Sequence, residues 1–456
     1  MKTLLSICLC IFSLCSFAQI TFVDSKTSWT ELSKKAKEEN KIVFIHLENS
    51  KCDQCNEVAT QGFSSPILKE KFDKHFVSVR CNVDTENGAD LQKRFEVNSS
   101  LISLFIDPSG NILARYNGST SYSKLYLDQA GLALSRVGSK HVNEYIKEYK
   151  AGEKSAAFLK EYLGKLRESQ LSLDNVLDEY VDGLPDDSLN NFNTIRFIYQ
   201  QGPSLDSKAY KRIRSLTKPR LIDSMYQSVP LAEAISINNG IINASMRNAV
   251  MKRNESLAQA VSGFTMGTYG ADRAKGVVES VKMMLNYYYA VRDTTKYLAT
   301  ASEFIERNYM NVSIDFLKKI DSLEVVKMMP KDPIPKNGVT VRSFGVQSPS
   351  QFYHIELNNR AWHFYEMAAT KTDLEKALSW SKLAIDWSSK LVRNVNDSKI
   401  NGNPRYKDTY AHLLYKLDRR DEAIEWQTKA VEEEKAMGRT SGSLETTLIK
   451  MKAGTL

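Results

Sequence analysis

Cys52 and Cys55, in NSKCDQCNEV (residues 49–58), form the one CxxC pair of the chain. At this spacing two sulfurs can close a disulfide, exchange it with another protein's thiol, or take two corners of a metal site. Exchange runs through the thiolate. A free cysteine has a pKa of about 8.5, and a helix N-terminus lowers it by about one unit or more. A helix opening at Cys52 would turn backbone N–H groups and the positive end of its dipole toward that sulfur. Lys51 adds a positive charge beside it and Asp53 opposes it, while Cys55, one turn on, is expected to be the more buried of the two. A static bridge is the plainer alternative, but so short a loop restricts the unfolded chain little. A metal would need more ligands. Cys81 and His46 could join the pair only if neighbouring strands carried them there, and the spacing matches no standard zinc pattern. A site made from the CxxC pairs of two chains stays open; the expectation is no metal and no cofactor.

Other chemistry is thin. The sequence carries no Ser-His-Asp arrangement, no phosphate loop and no HExxH helix, and it has six histidines. The net charge is +8, with six basic residues between Lys208 and Arg220. Without a recognition motif that cluster reads as a solvated helix face, so no nucleic-acid partner is expected. Residues 1–18, MKTLLSICLCIFSLCSFA, have one basic residue, a short apolar run and small residues at Ser16 and Ala18. That is the pattern of a cleaved secretory signal, cut after Ala18, and places the protein in the periplasm or outside the cell. Leu14 before Cys15 disfavours a lipid anchor. Cys8, Cys10 and Cys15 leave with the signal, and the three remaining cysteines are too few for a disulfide framework. No later run reaches the roughly 18 apolar residues of a membrane span.

The elements around the pair alternate. Ser28 and Glu31 make a capping box ahead of Trp29, Leu32 and Ala36 on one helical face. KIVFIHL (41–47) is a β-rich apolar run, and the CxxC helix follows at once. Ser65-Pro66 opens another helix, ending near Lys74. HFVSVRCNV (75–83) sets Val77, Val79, Cys81 and Val83 on one side of a strand, where Cys81 reads as a small buried hydrophobe. A short helix spans Thr85 to Phe95. LISLFID (101–107) and NILARY (111–116) form a hairpin across Asp107-Pro108-Ser109-Gly110, and a helix follows from about Ser121.

Alternating β and α elements predict a mixed sheet covered by helices. With CxxC at the end of the first main strand, IVFIHLENSKCDQC and FEVNSSLISLFIDPSGNIL give residues 24–138 an order that resembles the thioredoxin family. The resemblance implies a thioredoxin-like α/β domain, with Cys52 as nucleophile, Cys55 as resolving thiol, and protein thiols or disulfides as substrates. His46, six residues before Cys52, stands where thioredoxin has a buried carboxylate that helps move the proton of the second cysteine. A histidine could serve there, its ordinary pKa being about 6.5; the alternative is a core histidine hydrogen-bonded to backbone. Glu48 is nearer to the pair, and this reading turns it to solvent. Three features depart from the family pattern. Lys51 replaces an aromatic, Asp53-Gln54 replace Gly-Pro, and Leu101 stands where a cis-proline packs on the disulfide. A cis bond without proline costs about 2.5–4 kcal/mol, so the Ser100–Leu101 bond is expected trans and the substrate groove, with Leu101 and Lys51 at its edge, differently shaped.

After about residue 139 nearly everything reads as helix. AAFLKEYLGKLRE (156–168), VVESVKMMLNYYYAV (277–291) and KYLATASEFIERNYM (296–310) have helical periodicity, and Tyr287, Tyr288 and Tyr289 read as packing between helices. MPKDPIPKNG (329–338) is a connector. Near the end, LNNRAWHFYEMAA…LEKALSWSKLAIDW is echoed by KDTYAHLLYKLDRRDEAIEWQTKAVEEE. Ala361 matches Ala411, Ala377 matches Ala423 and Ala384 matches Ala430. These units resemble tetratricopeptide (TPR-like) hairpins over about 355–437, which implies a protein partner at the helical repeats. The expected organisation is a signal (1–18), a thioredoxin-like domain (19–138), an all-helical region (139–328), a linker (329–350) and TPR-like repeats (351–456). Two functions fit: an exported thiol–disulfide oxidoreductase, or a non-catalytic interaction scaffold with a vestigial CxxC.

Overall fold

The computed structural model describes residues 19–49, 53–97, 99, 101–169, 171–328, 348–391, 402–437 and 441–456. The signal and nearly all of the 329–350 connector lie outside the described residues. The chain forms two compact units, Met1–Gly183 and Leu184–Leu456.

The first unit is built on a five-stranded sheet of order β1-β3-β2-β4-β5. The strands are β1 (Phe22–Val23), β2 (Ile42–Glu48), β3 (Phe76–Asn82), β4 (Ile102–Ile106) and β5 (Ile112–Asn117). β1 and β2 both run parallel to β3, and β4 runs antiparallel to β2 and β5. The helices are α1 (Trp29–Glu38), α2 (Asp53–Phe63), α3 (Pro66–His75), α4 (Glu86–Arg94) and α5 (Ser123–Ser135). β2 is central and buried on both faces, which is why IVFIHL has no polar alternation. Its two faces feed two cores. Val43, Ile45 and Leu47 pack with Trp29, Leu32 and Ala36 of α1 and with Leu91 of α4. Ile42 and Phe44 pack with Phe63 of α2, Phe72 of α3 and Tyr126 of α5. Phe44 lies edge-on to Phe72 at 4.9 Å and to Phe63 at 6.0 Å. Burying each such ring stabilises the fold by about 1.5–3 kcal/mol.

Local signals set the boundaries. Ser28 and Glu31 close the capping box on α1, with Ser28 N–H donating to Glu31 Oε2 at 2.9 Å. Ser65 caps α3 with Pro66 in its first turn, and Thr85 caps α4. In the β4–β5 turn Gly110 sits at φ +94, left-handed backbone that favours glycine, while Asp107 Oδ1 accepts from the N–H groups of Ser109 and Asn111. β1, only two residues long, was not anticipated; two residues carry no periodicity.

This strand order, with helices on both faces, is that of a thioredoxin-like α/β domain, and a predominantly helical region follows it. Three more helices complete the first unit: α6 (Val142–Lys150), α7 (Ala156–Glu168) and α8 (Asp174–Asp182). His141 Nε2, just before α6, lies 3.1 Å from Asp107 Oδ2 in the hairpin turn, and Arg136, just after α5, links Leu113 O at 2.7 Å to Glu168 of α7 at 3.5 Å.

Described residues of the second unit fold almost entirely as helices. Tyr287 and Tyr288 are buried in its core, as expected. Helices Ser350–Met367 and Lys371–Leu391 pack together, as do Pro404–Lys416 and Arg420–Ala436. All six alanines of the sequence repeat are fully buried, and Phe364 lies edge-on to Trp380 at 4.8 Å. No described helix is long and apolar enough to cross a membrane.

Candidate functional site

The chain leaves the C-terminal end of central strand β2, and α2 carries it back over the aromatic core. Cys55 lies in the first turn of α2 and is disulfide-bonded. Cys52 and Lys51 lie outside the described residues, as does the Ser100 side of the Ser100–Leu101 bond. Leu101 is half-buried just before β4, and its carbonyl accepts from Gly118 N–H at 2.9 Å. No peptide bond among the described residues is cis.

Beneath α2 a polar row crosses the sheet. Arg80 of β3 is in register with His46 of β2, His46 with Ser103 of β4, and Ser103 with Tyr116 of β5. His46 is fully buried on the α2 side, its ring edge-on to Phe63 at 5.0 Å. Its Nδ1 lies 2.9 Å from Ser103 Oγ, and its Nε2 is buried with no hydrogen-bond partner among the described residues. Burial first, then the positive charge of Arg80, pulls its pKa down to about 3. His46 is therefore neutral at ordinary pH. Its partner is a side-chain hydroxyl rather than the backbone group expected of a core histidine.

The polar cluster around Arg80 was not read from the sequence. Arg80 lies half-buried between the sheet and α2. Its Nε donates to Glu48 Oε2 at 2.7 Å, its Nη1 to Thr60 Oγ1 at 2.8 Å and its Nη2 to Asn56 O at 3.0 Å. Thr60 Oγ1 donates to the same Asn56 carbonyl, and Asn56 Nδ2 donates to Asn49 O at 2.9 Å. Glu48 does not turn to solvent: its side chain keeps 18% of its exposure and pairs with Arg80 at 2.6 Å. The available signal was a lone cation in the β-rich FVSVRCN. Farther along α2, Gly62 lets the helix touch the segment before α5; a Cβ there would fall 2.1 Å from Thr120 O.

Cys81 is a free, buried thiol on the opposite face of the sheet, with Leu47 and Val79. Its Sγ donates to Ser25 O, and burial pushes its pKa up to about 11, against the opposing effect of the Asn87 amide. It reads as a core residue, as expected.

No protein-family model matches the chain, and neither does any curated protein. Among solved structures, the solution structure of a Bacteroides thetaiotaomicron protein provisionally named a disulphide-isomerase aligns at 24% identity. The match covers 27% of this chain and 97% of that one, with a TM-score of 0.23.

Proposed function

We propose that this protein is an exported thiol–disulfide oxidoreductase, periplasmic or secreted, that exchanges disulfides with protein substrates through Cys52 and Cys55. The observation that carries the reading is a disulfide-bonded cysteine in the first turn of the helix that follows the central strand of a thioredoxin-like sheet. In the reducing direction the Cys52 thiolate attacks one sulfur of a substrate disulfide and forms a mixed disulfide. The other substrate sulfur leaves as a thiolate and takes a proton. The Cys55 thiol loses its proton and attacks Cys52, closing the protein disulfide and releasing the second substrate thiolate. Two electrons pass from the protein dithiol to the substrate.

In this reading the His46 ring takes the Cys55 proton at Nε2 while its Nδ1 stays on Ser103 Oγ, and hands that proton on to the departing substrate thiolate. Burial makes the imidazolium costly, so it forms only in transit. The helical repeats, read as TPR-like, bring the protein partner. Cys52→Ser should abolish dithiol-dependent reduction of a test protein disulfide, and Cys55→Ser should trap mixed disulfides with substrate. Unchanged reduction by Cys52→Ser sinks the reading.

Leu101 in place of the family's cis-proline favours a second reading, an interaction scaffold with a vestigial CxxC. Under it, neither cysteine substitution alters partner binding, and deleting residues 351–456 removes it.

A further inference from the structure

The basic cluster between Lys208 and Arg220 takes no part in the site above. It lies on helix Lys208–Leu216 and the start of helix Pro219–Ser228, within the second unit. Ala209 and Ile213 bury one side of the first helix, while Lys208, Lys211 and Arg214, three residues apart, stand exposed on the other. Lys218 and Arg220 are exposed across the turn. That turn is pinned to the preceding segment. Thr217 Oγ1 donates to Leu189 O at 2.7 Å, Lys218 N–H donates to Asn190 Oδ1 at 3.1 Å, and Asn190 Nδ2 donates to Leu216 O at 3.2 Å. The fold therefore holds these cations together on one exposed strip.

Little opposes their charge. Asp186 is taken by Arg212 at 2.8 Å and Asp206 by Lys252 at 2.7 Å. Asp187 is exposed, and Asp223, also exposed, is the one carboxylate on either helix. Among the described residues no carboxylate pairs with Lys208, Lys211, Lys218 or Arg220. Leu216, between Arg214 and Lys218 in the chain, is 37% exposed, and the strip has no exposed aromatic ring on which a nucleic-acid base could stack.

We propose that this strip docks the protein on an anionic lipid bilayer, its cations meeting the headgroup phosphates. The inference goes beyond the redox reading and needs neither cysteine. A bilayer presents many phosphates in one plane, which suits cations spread over the outward sides of two consecutive helices. The apolar sides of those helices are already buried in the protein, so attraction between charges supplies the binding. Each basic residue close to such a surface strengthens binding about fivefold, and salt weakens it.

The experiment sediments the protein with vesicles of phosphatidylcholine alone and of phosphatidylcholine mixed with an equal part of phosphatidylglycerol. Residues 1–18 are removed, because their apolar run would bind lipid by itself. One variant carries Lys208→Gln, Lys211→Gln, Lys218→Gln and Arg220→Gln. A second carries Lys318→Gln, Lys319→Gln, Lys371→Gln and Lys452→Gln, all exposed, and so loses the same charge elsewhere. Folding is checked by circular dichroism; none of these side chains is buried, and Lys211→Gln alone serves if the fourfold variant does not fold.

The expected result at about 0.1 M salt is binding to the mixed vesicles, none to phosphatidylcholine alone, and release as salt rises to about 1 M. Lys211→Gln should weaken binding about fivefold, and the fourfold strip variant by about two to three orders of magnitude. The second variant should stay near the parent. Equal losses in the two fourfold variants would assign the effect to net charge and overturn the inference. So would absence of binding to the mixed vesicles, or equal binding to both kinds. Capture of a soluble polyanion such as alginate without capture of the mixed vesicles would give the strip another occupant and overturn it too. None of these results bears on the reduction assay of the cysteine variants, so the two readings stand or fall separately.

Discussion

His46 and Ser103 form a two-residue unit whose worth can be measured directly. Ser103 is the partner of Nδ1, and Nε2 has none among the described residues. Ser103→Ala leaves the whole ring unpartnered in a dry site, which should cost about 1–3 kcal/mol in urea unfolding. It should also slow resolution of the mixed disulfide, since the ring that takes the Cys55 proton loses the partner that orients it. The ring has a pH signature as well. Its pKa is about 3 in the fold, against about 6.5 in the unfolded chain. Between these values the unfolded chain holds the proton and the folded chain does not, so stability falls as pH drops from about 6.5 toward about 3. The slope is about 1.4 kcal/mol per pH unit. In His46→Leu/Ser103→Ala that share of the slope should vanish, which urea titrations at several pH values would read. A slope identical to the parent's would mean that His46 takes up a proton in the folded state.

Elements were legible where the signal is local. The Ser28–Glu31 box, the Ser65-Pro66 start and the Asp107–Gly110 turn each sit within a few residues, and each stands where the sequence places it. β2 and β3 were legible from apolar runs too short for helices. The clamp on α2 was not, because Arg80 is 32 residues from Glu48 and 24 from Asn56, and only parallel pairing of β2 with β3 joins them. His46 could be nominated from its place before the cysteines, but Ser103 is 57 residues away and nothing local marks it. The fit of α2 against the chain before α5 hides in one glycine. Gly62→Ala drives a methyl into the Thr120 carbonyl, and overpacking of this kind costs about 1–3 kcal/mol. The loss should fall on α2, seen as faster amide exchange over 53–63 than over α4. Equal exchange in both helices would mean that the contact yields without strain.

At the scale of the molecule, each compact unit contains a core of its own. Both faces of the sheet are packed by residues before 138, whereas the large helical core is drawn from Ala249 to Met451. Chains with separate cores commonly unfold in more than one step. Two thermal transitions are therefore expected by calorimetry, one for each compact unit. The disulfide at Cys55 belongs to the first unit alone. If it closes on Cys52, as proposed, its loop is so short that chain entropy gives about 2 kcal/mol of stabilisation. For a unit of this size that corresponds to about 4–8 °C. Dithiothreitol should lower one transition by that amount and leave the other where it was, and Cys52→Ser should reproduce the shift without reductant. A shift of both transitions would show that the units unfold together. A shift far larger than this would point to a bridge across a longer loop, and the CxxC pairing would have to be abandoned.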